Sequence, residues 1–167
     1  MLVNLELKAK IVSPARTLKA LRKMGGPSET LIQTDTYFRI KSGRLKLREF
    51  ANGKTELIFY RRNEETGRRW SYYSILNISD VKNTKAFLKE AFGIDVVVRK
   101  TRHVYYYRGE TRIHFDRVKG LGMFIEFEVS QKKDKREAVL LYKELVALFG
   151  IDEKNLIHCS YSDLIRQ

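Results

Sequence analysis

Residues 111–130 read TRIHFDRVKGLGMFIEFEVS, and the charged residues in that stretch recur at every second position. Side chains along an extended strand alternate between two faces. Arg112, His114 and Asp116 therefore share one face of a strand, with Ile113 and Phe115 behind them. After a turn at Lys119-Gly120-Leu121-Gly122, Glu126 and Glu128 share a face with Phe124, opposite Met123, Ile125, Phe127 and Val129. Three carboxylates and an arginine thus project from one side of a hairpin whose other side is apolar. In isolation this describes a solvated hairpin face, but the pattern recurs. Asn4, Glu6, Lys8 and Lys10 alternate with Val3, Leu5, Leu7, Ala9 and Ile11; Arg44, Lys46 and Arg48 alternate with Leu45 and Leu47; Lys100 and Arg102 share a face with Val104 and Tyr106. Carboxylates clustered among many cations suit one ligand class. Cations grip phosphate oxygens, while carboxylates hold Mg²⁺ or Mn²⁺ that bridges the same phosphates.

Such a cluster needs strands to carry it. Strict alternation over residues 2–12 predicts a half-buried antiparallel strand. Ser13-Pro14 then opens a helix, with Leu18, Leu21 and Met24 on its apolar side and Gly25-Gly26-Pro27 to stop it. Further strands are predicted over residues 30–40, 43–51 and 55–62, with Asn52-Gly53 as a hairpin turn. A polar turn over 63–67 leads to an aromatic-rich strand over 69–76. Residues 80–93 have helical spacing (Val81, Phe87, Leu88, Phe92), and 95–109 form a long sixth strand that precedes the hairpin. Residues 134–149 are the clearest helix, with Val139, Leu140, Tyr142, Leu145, Val146 and Phe149 on its apolar side. Its other side mixes both charges, which disfavours a helix that reads nucleic acid. Residues 158–165 end the chain as a short helical or turn segment.

Eight strands and three helices specify an α+β protein, expected as one domain over 1–167: an eight-stranded antiparallel barrel with helices packed outside. Small barrels mostly fill their interior with apolar side chains. Here the apolar faces have helices to cover them, so the charged faces are predicted to line a wet central tunnel. Ions enclosed there must be paired or hold a ligand.

The 167 residues carry 33 Lys+Arg against 20 Asp+Glu, a formal net charge of +13. That surplus calls for an anionic partner, and charge alone admits nucleic acid, a membrane surface or a polyphosphate. Residues 39–69 hold ten basic and four acidic residues, so the strands there should gather positive charge on one sheet surface. Cys159 is the only cysteine, which excludes a disulfide framework or a cysteine zinc cluster. No basic stretch followed by an apolar run opens the chain, and no apolar segment is long enough to span a bilayer. A cytoplasmic protein without membrane partners is expected.

In its motifs the chain resembles the CYTH superfamily, the triphosphate tunnel metalloenzymes, and within it the class IV adenylate cyclase-like group. Asn4-Leu5-Glu6-Leu7-Lys8 is similar to the family's Glu-x-Glu-x-Lys opening, with asparagine in the first place. Gln33-Thr34-Asp35-Thr36-Tyr37-Phe38 looks like its Gln-x-Asp-x-Tyr-Phe strand. Lys46, Arg48 and Glu49 match Lys-x-Arg-Glu, Tyr60 and Arg62 match Tyr-x-Arg, and Lys100 and Arg102 form the later basic pair. Asp116, Leu121-Gly122, Phe124, Glu126 and Glu128 fit Asp…Leu-Gly-x-Phe-x-Glu-x-Glu, and Ser160-Tyr161-Ser162-Asp163-Leu164 resembles Ser-Tyr-x-Asp-Leu.

The resemblance spans nearly the whole chain and implies a tunnel that binds a triphosphate with Mg²⁺ or Mn²⁺. By position, Glu6, Glu126 and Glu128 would be metal ligands, and Lys8, Lys46, Arg48, Arg62, Lys100, Arg102 and Arg112 would hold phosphates. Lys8 and Asp116 are the catalytic candidates, Asp116 by orienting a basic residue or touching metal. Asn4 offers a neutral amide where the family has a carboxylate, which bears on metal affinity. His114 reads as a hydrogen-bonded structural residue, Tyr161 and Cys159 as structural, and Tyr72, Tyr73 and Tyr105–Tyr107 as packing. Family members cyclise ATP to cyclic AMP and pyrophosphate, or hydrolyse inorganic, thiamine or nucleoside triphosphates. Both reactions need the same grip and differ in the nucleophile, so cyclisation of ATP is named first and hydrolysis stays open. A non-catalytic polyphosphate- or RNA-binding barrel is the alternative of another class. RNA binding would call for aromatics on an open face, and clustered carboxylates would repel a phosphate backbone.

Overall fold

The computed structural model describes residues 2–62, 69–109, 111–130 and 135–167. Along the chain these form β1 (Leu2–Lys10), α1 (Pro14–Arg22), β2 (Glu29–Phe38), β3 (Arg44–Phe50), β4 (Thr55–Arg62), β5 (Arg69–Asn77), α2 (Val81–Phe92), β6 (Ile94–Tyr107), β7 (Thr111–Val118), β8 (Gly122–Ser130), α3 (Lys135–Phe149), a single 3₁₀ turn and α4 (Tyr161–Arg166). The polar turn expected over 63–67 lies outside the described residues. The strands close into one antiparallel barrel in the order β1-β5-β4-β3-β2-β6-β7-β8. Hairpins supply most of the neighbours. Closure comes from pairings remote in sequence: β2 with β6, and β1 with both β5 and β8.

Local signals set the ends of these elements. Gly120 and Gly122 sit at φ +83° and +100° in the β7–β8 turn, a backbone region that costs glycine little. Pro14 starts α1, although the Ser13 side chain makes no capping bond. Asp80 caps α2 by accepting from the Asn83 backbone N–H. Ser160 and Asp163 form a reciprocal capping box that fixes where α4 begins.

The register turns the apolar faces outward. Leu5, Leu7 and Ala9 of β1 join Ile113, Phe115, Ile125, Phe127 and Val129 beneath Leu21, Ala138, Leu145 and Phe149 of α1 and α3. On the opposite flank Phe38 and Leu47 pack against Leu88 of α2. Burying each such aliphatic or aromatic side chain contributes about 1.5–3 kcal/mol. Two helix faces differ from the sequence reading. On α2 the covered positions are Val81, Thr84, Lys85 and Leu88, the i, i+3, i+4, i+7 set, whereas Phe87 and Phe92 are 68% and 42% exposed. On α3 Leu141 packs inward and Leu140 is exposed. Several apolar residues in one helical turn leave the rotation undetermined until the sheet is in place.

The charged faces turn inward, and they line a cavity of about 330 Å³ within the barrel. The interior is not wet throughout. Tyr37, Ile58, Tyr60, Val98, Val118 and Phe124 cluster at one end, and Tyr161 of α4 completes this floor, edge-on to Phe124 with ring centroids 5.0 Å apart. Glu29, Leu31, Phe50, Asn52 and Ile75 ring the opposite mouth.

Candidate active site

Strands β2, β3 and β6 build one wall. Asp35, 1% exposed, accepts from Arg48 at 2.7 and 2.8 Å, from Lys46 at 3.0 Å and from Lys100 at 3.3 Å. Three cations share one carboxylate because the register sets Asp35 across from Arg48, and Gln33 of the same face across from Lys100. Burial alone would raise the Asp35 pKa, but Arg48, Lys100 and Lys46 hold it well below the ordinary carboxylate range. Burial and the neighbouring guanidinium of Arg48 push Lys46 well down, against the pull of Asp35. Burial likewise lowers Lys100 to about 8, with Asp35 opposing and Arg102 and Arg48 reinforcing the shift. This wall holds more positive charge than its one carboxylate neutralises.

Strands β7, β8 and β1 build the facing wall. Glu6 stands opposite Glu128, and Lys8 opposite Glu126, across the β1–β8 ladder; His114 pairs with Glu126 and Arg112 with Glu128 across β7–β8. Arg102 reaches over from β6, donating to Asp116 at 2.7 and 2.6 Å and to Glu126 at 2.6 Å. Lys8 Nζ lies 3.5 Å from Glu126 and over the Tyr161 ring, 4.0 Å from its centroid. Arg62 Nη2 lies 2.9 Å from Glu6 Oε2 without hydrogen-bond alignment. Burial would raise Glu126, yet Lys8, Arg102 and His114 hold it well below the usual range. Asp116 is lowered against its burial by Arg102, and Glu128 by His114 and Arg112.

All eleven residues singled out from the sequence face this interior or its buried wall. Glu6, Lys8, Lys46, Arg48, Arg62, Lys100, Arg102, Arg112, Glu126 and Glu128 line the cavity, and Asp116 is buried behind Arg102. Asn4 is also inside, buried beside Glu6, with Nδ2 donating to the Tyr73 hydroxyl at 3.2 Å. The basic run is split: Arg44, Lys46, Arg48 and Arg62 turn toward the barrel interior or its rim, while Arg61 stacks over Phe59 on the outside.

Three residues carry more than the sequence reading gave them. Asp35 is the hub of the cationic wall; its place on the same face as Gln33 and Tyr37 was visible, but its partners come from two other strands. Tyr161 donates its hydroxyl to Asp116 at 2.9 Å from the floor of the tunnel. From the sequence, His114 is expected to be a hydrogen-bonded structural residue. Instead its Nδ1 is buried without a hydrogen-bond partner, 3.6 Å from both Glu126 and Glu128. The ligand atoms of His114, Glu126 and Glu128 lie within 4.8 Å of one another. Tyr73 lines the cavity, whereas Tyr105 and Tyr107 pack on the outer core as expected.

The family model of the CYTH domain matches residues 3–161, and the chain belongs to that family. A conserved hypothetical protein of Pyrococcus furiosus is 25% identical, with 96% of this chain and 99% of that one covered at a TM-score of 0.82. A Pyrococcus horikoshii protein is 20% identical over 96% of this chain and 98% of its own, with a TM-score of 0.84. A Hippeastrum protein with a dominant triphosphatase activity is 17% identical over 99% and 95%, with a TM-score of 0.72, and shares the fold. No curated protein matches the sequence. Members of the CYTH family act on triphosphates. No helix among the described residues is long and apolar enough to cross a membrane.

Proposed function

We propose that this chain is a divalent-metal-dependent enzyme acting on a nucleoside triphosphate, with cyclisation of ATP to cyclic AMP and pyrophosphate as its reaction. One observation carries the reading: two walls of opposite charge surplus face each other across a closed tunnel, one rich in cations and one in carboxylates. A polyphosphate chain needs the first, and the cation that accompanies it needs the second.

Lys46, Arg48 and Lys100 hold the phosphate chain from the cationic wall, with Arg62, Arg112 and Lys8 closing round it. Asp35 keeps the first three aligned before the substrate arrives, so little reorganisation is needed on binding. Glu6, Glu126 and Glu128 would hold Mg²⁺ or Mn²⁺, with His114 beside them. The residues fit such an ion: Glu6 Oε2 and His114 Nδ1 are buried and lack hydrogen-bond partners, and the carboxylates are the hard donors these cations favour. When bound, the ion polarises phosphoryl oxygens and offsets charge on the leaving phosphate. Lys8, whose ammonium is pinned between Glu126 and the Tyr161 ring, supplies a proton donor to the departing oxygen. Asp116 orients Arg102 rather than meeting substrate, since both its oxygens are taken by Arg102 and Tyr161.

The mouth favours an organic substituent on the phosphate chain. Leu31, Phe50 and Ile75 offer apolar contact there, with Asn52 and Glu56 as polar partners. Incubation with ATP, inorganic triphosphate and thiamine triphosphate, with Mg²⁺ and Mn²⁺ separately, tests the reading by product. Cyclic AMP with pyrophosphate is the expected outcome. Orthophosphate release would assign hydrolysis instead, and no turnover of any triphosphate would reject the enzyme reading.

A further inference from the structure

The tunnel floor has a second side. Beyond Tyr37, and on the far end of the barrel from the mouth, lies another cavity of about 570 Å³. Five arginines line it: Arg39 follows β2, Arg44 opens β3, Arg61 and Arg62 end β4, and Arg166 closes α4. Its carboxylates are Asp95 and Asp163, which leaves a surplus of three positive charges. Asp163 takes Arg44 at 2.6 Å and Arg166 at 3.2 Å, and Arg166 also pairs with Asp95. Among the described residues, neither Arg39 nor Arg61 meets a carboxylate.

The independent observation is Arg62. Its side chain is 10% exposed and forms part of the wall between the two cavities, lining both. On the tunnel side Nη2 meets Glu6, while Nε and Nη1 are buried with no hydrogen-bond partner. Leaving charged donors unmet in a buried site is costly, so a built position with two free guanidinium donors is one that a ligand completes. Planar guanidinium forks match the paired oxygens of a phosphate group bidentately, as they do those of a carboxylate.

We propose that this outer cavity binds a free phosphate-type oxyanion, inorganic pyrophosphate above orthophosphate, in a site separate from the tunnel. Arg39 and Arg61 supply the unpaired charge, Arg44 and Arg166 frame the cavity, and Arg62 couples it to the tunnel. An oxyanion beneath the floor draws on the same guanidinium that faces Glu6 and adds negative charge behind the tunnel. Occupancy therefore weakens triphosphate binding, and the product of one reaction restrains the next. The binding step does not depend on the enzyme reading; only the feedback does.

Titrating inorganic pyrophosphate calorimetrically into the intact chain without metal should resolve two sites. The variant R39A/R61A, altered only at exposed positions outside the tunnel, should lose the second by at least ~10-fold in affinity, as expected when two charge-assisted contacts go. Its melting temperature without anion should equal the wild type. A single site of equal affinity in both proteins overturns the proposal, as does sulfate binding there as tightly as pyrophosphate. In turnover assays pyrophosphate should inhibit the wild type in a mixed pattern and R39A/R61A by competition alone. Two sites in calorimetry without any triphosphate turnover would uphold the outer site and reject the enzyme reading.

Discussion

The two walls of the tunnel solve the same problem in opposite ways. On β2, β3 and β6 a single carboxylate, Asp35, serves Lys46, Arg48 and Lys100. On β7, β8 and β1 four carboxylates, Glu6, Asp116, Glu126 and Glu128, are met by Lys8 and Arg112 of those strands, with Arg62 and Arg102 reaching in from other parts of the barrel. Isolated buried ions are too expensive to keep, so each wall is paired, but by different means. The cationic wall keeps three cations on one carboxylate and waits for negative charge, whereas the strands of the acidic wall carry two more carboxylates than cations and borrow Arg62 and Arg102 to offset them. A metal–polyphosphate complex satisfies both at once, and neither component alone does.

The largest effect should come from the acidic wall. Glu126→Ala removes a candidate ligand and leaves Lys8 and Arg102 without a main partner; turnover should fall by at least ~10²-fold, the scale of losing one major electrostatic contribution. Activity that survives both EDTA and this substitution would dissolve the distinction between the walls.

The cationic wall should respond in stability instead. Asp35→Asn leaves three buried cations sharing no carboxylate and should cost about 3–5 kcal/mol, the usual penalty for breaking a buried pair from one side. Inorganic triphosphate should raise the melting temperature of this variant more than that of the wild type, because the anion replaces the missing charge. Equal stabilisation of both proteins would show that Asp35 and the phosphates do not act on the same cations.

A smaller signature belongs to Lys100. Its folded pKa is lowered from 10.5 to about 8, so in the empty tunnel it loses its proton as pH rises through that value. Phosphate binds the protonated form, so affinity for triphosphate should weaken as pH rises through about 8, by up to ~10-fold per unit, as binding takes up a proton. Stability runs the other way: between about 8 and 10.5 the unfolded chain holds more protons, and Lys100's contribution to stability grows with pH. Lys100→Arg should flatten the affinity profile across this window. A bend that persists in that variant would assign it to another group.

The smallest effect is expected at Asn4. Its side chain lies inside, beside Glu6, on the wall richest in carboxylates. Asn4→Glu should tighten Mg²⁺ or Mn²⁺ binding by a few-fold in a titration without nucleotide, since these cations favour charged oxygen ligands. Unchanged metal affinity would confine Asn4 to holding the Tyr73 hydroxyl.

The sequence by itself determined which residues share a face. Alternation of period two is imposed by the pleat, so once Leu5 and Ile125 were outside, Glu6 and Glu126 had to be inside, and one shift of register would have inverted every residue together. That reasoning placed Glu6, Lys46, Arg48, Lys100, Arg102 and Glu126 correctly without knowledge of which strands are neighbours. Strand pairing was decided only by the tertiary structure. Nothing local links β2 to β6 or β1 to β8, because those contacts reflect the geometry of barrel closure rather than a turn. The hub role of Asp35, the proximity of His114 Nδ1 to two glutamates and the insertion of Tyr161 under Asp116 all depend on those pairings. The helix rotations that exposed Phe87 and Leu140 were settled in the same way. Patterning along a strand is enforced residue by residue, whereas contacts across a closed barrel exist only once every strand is in place.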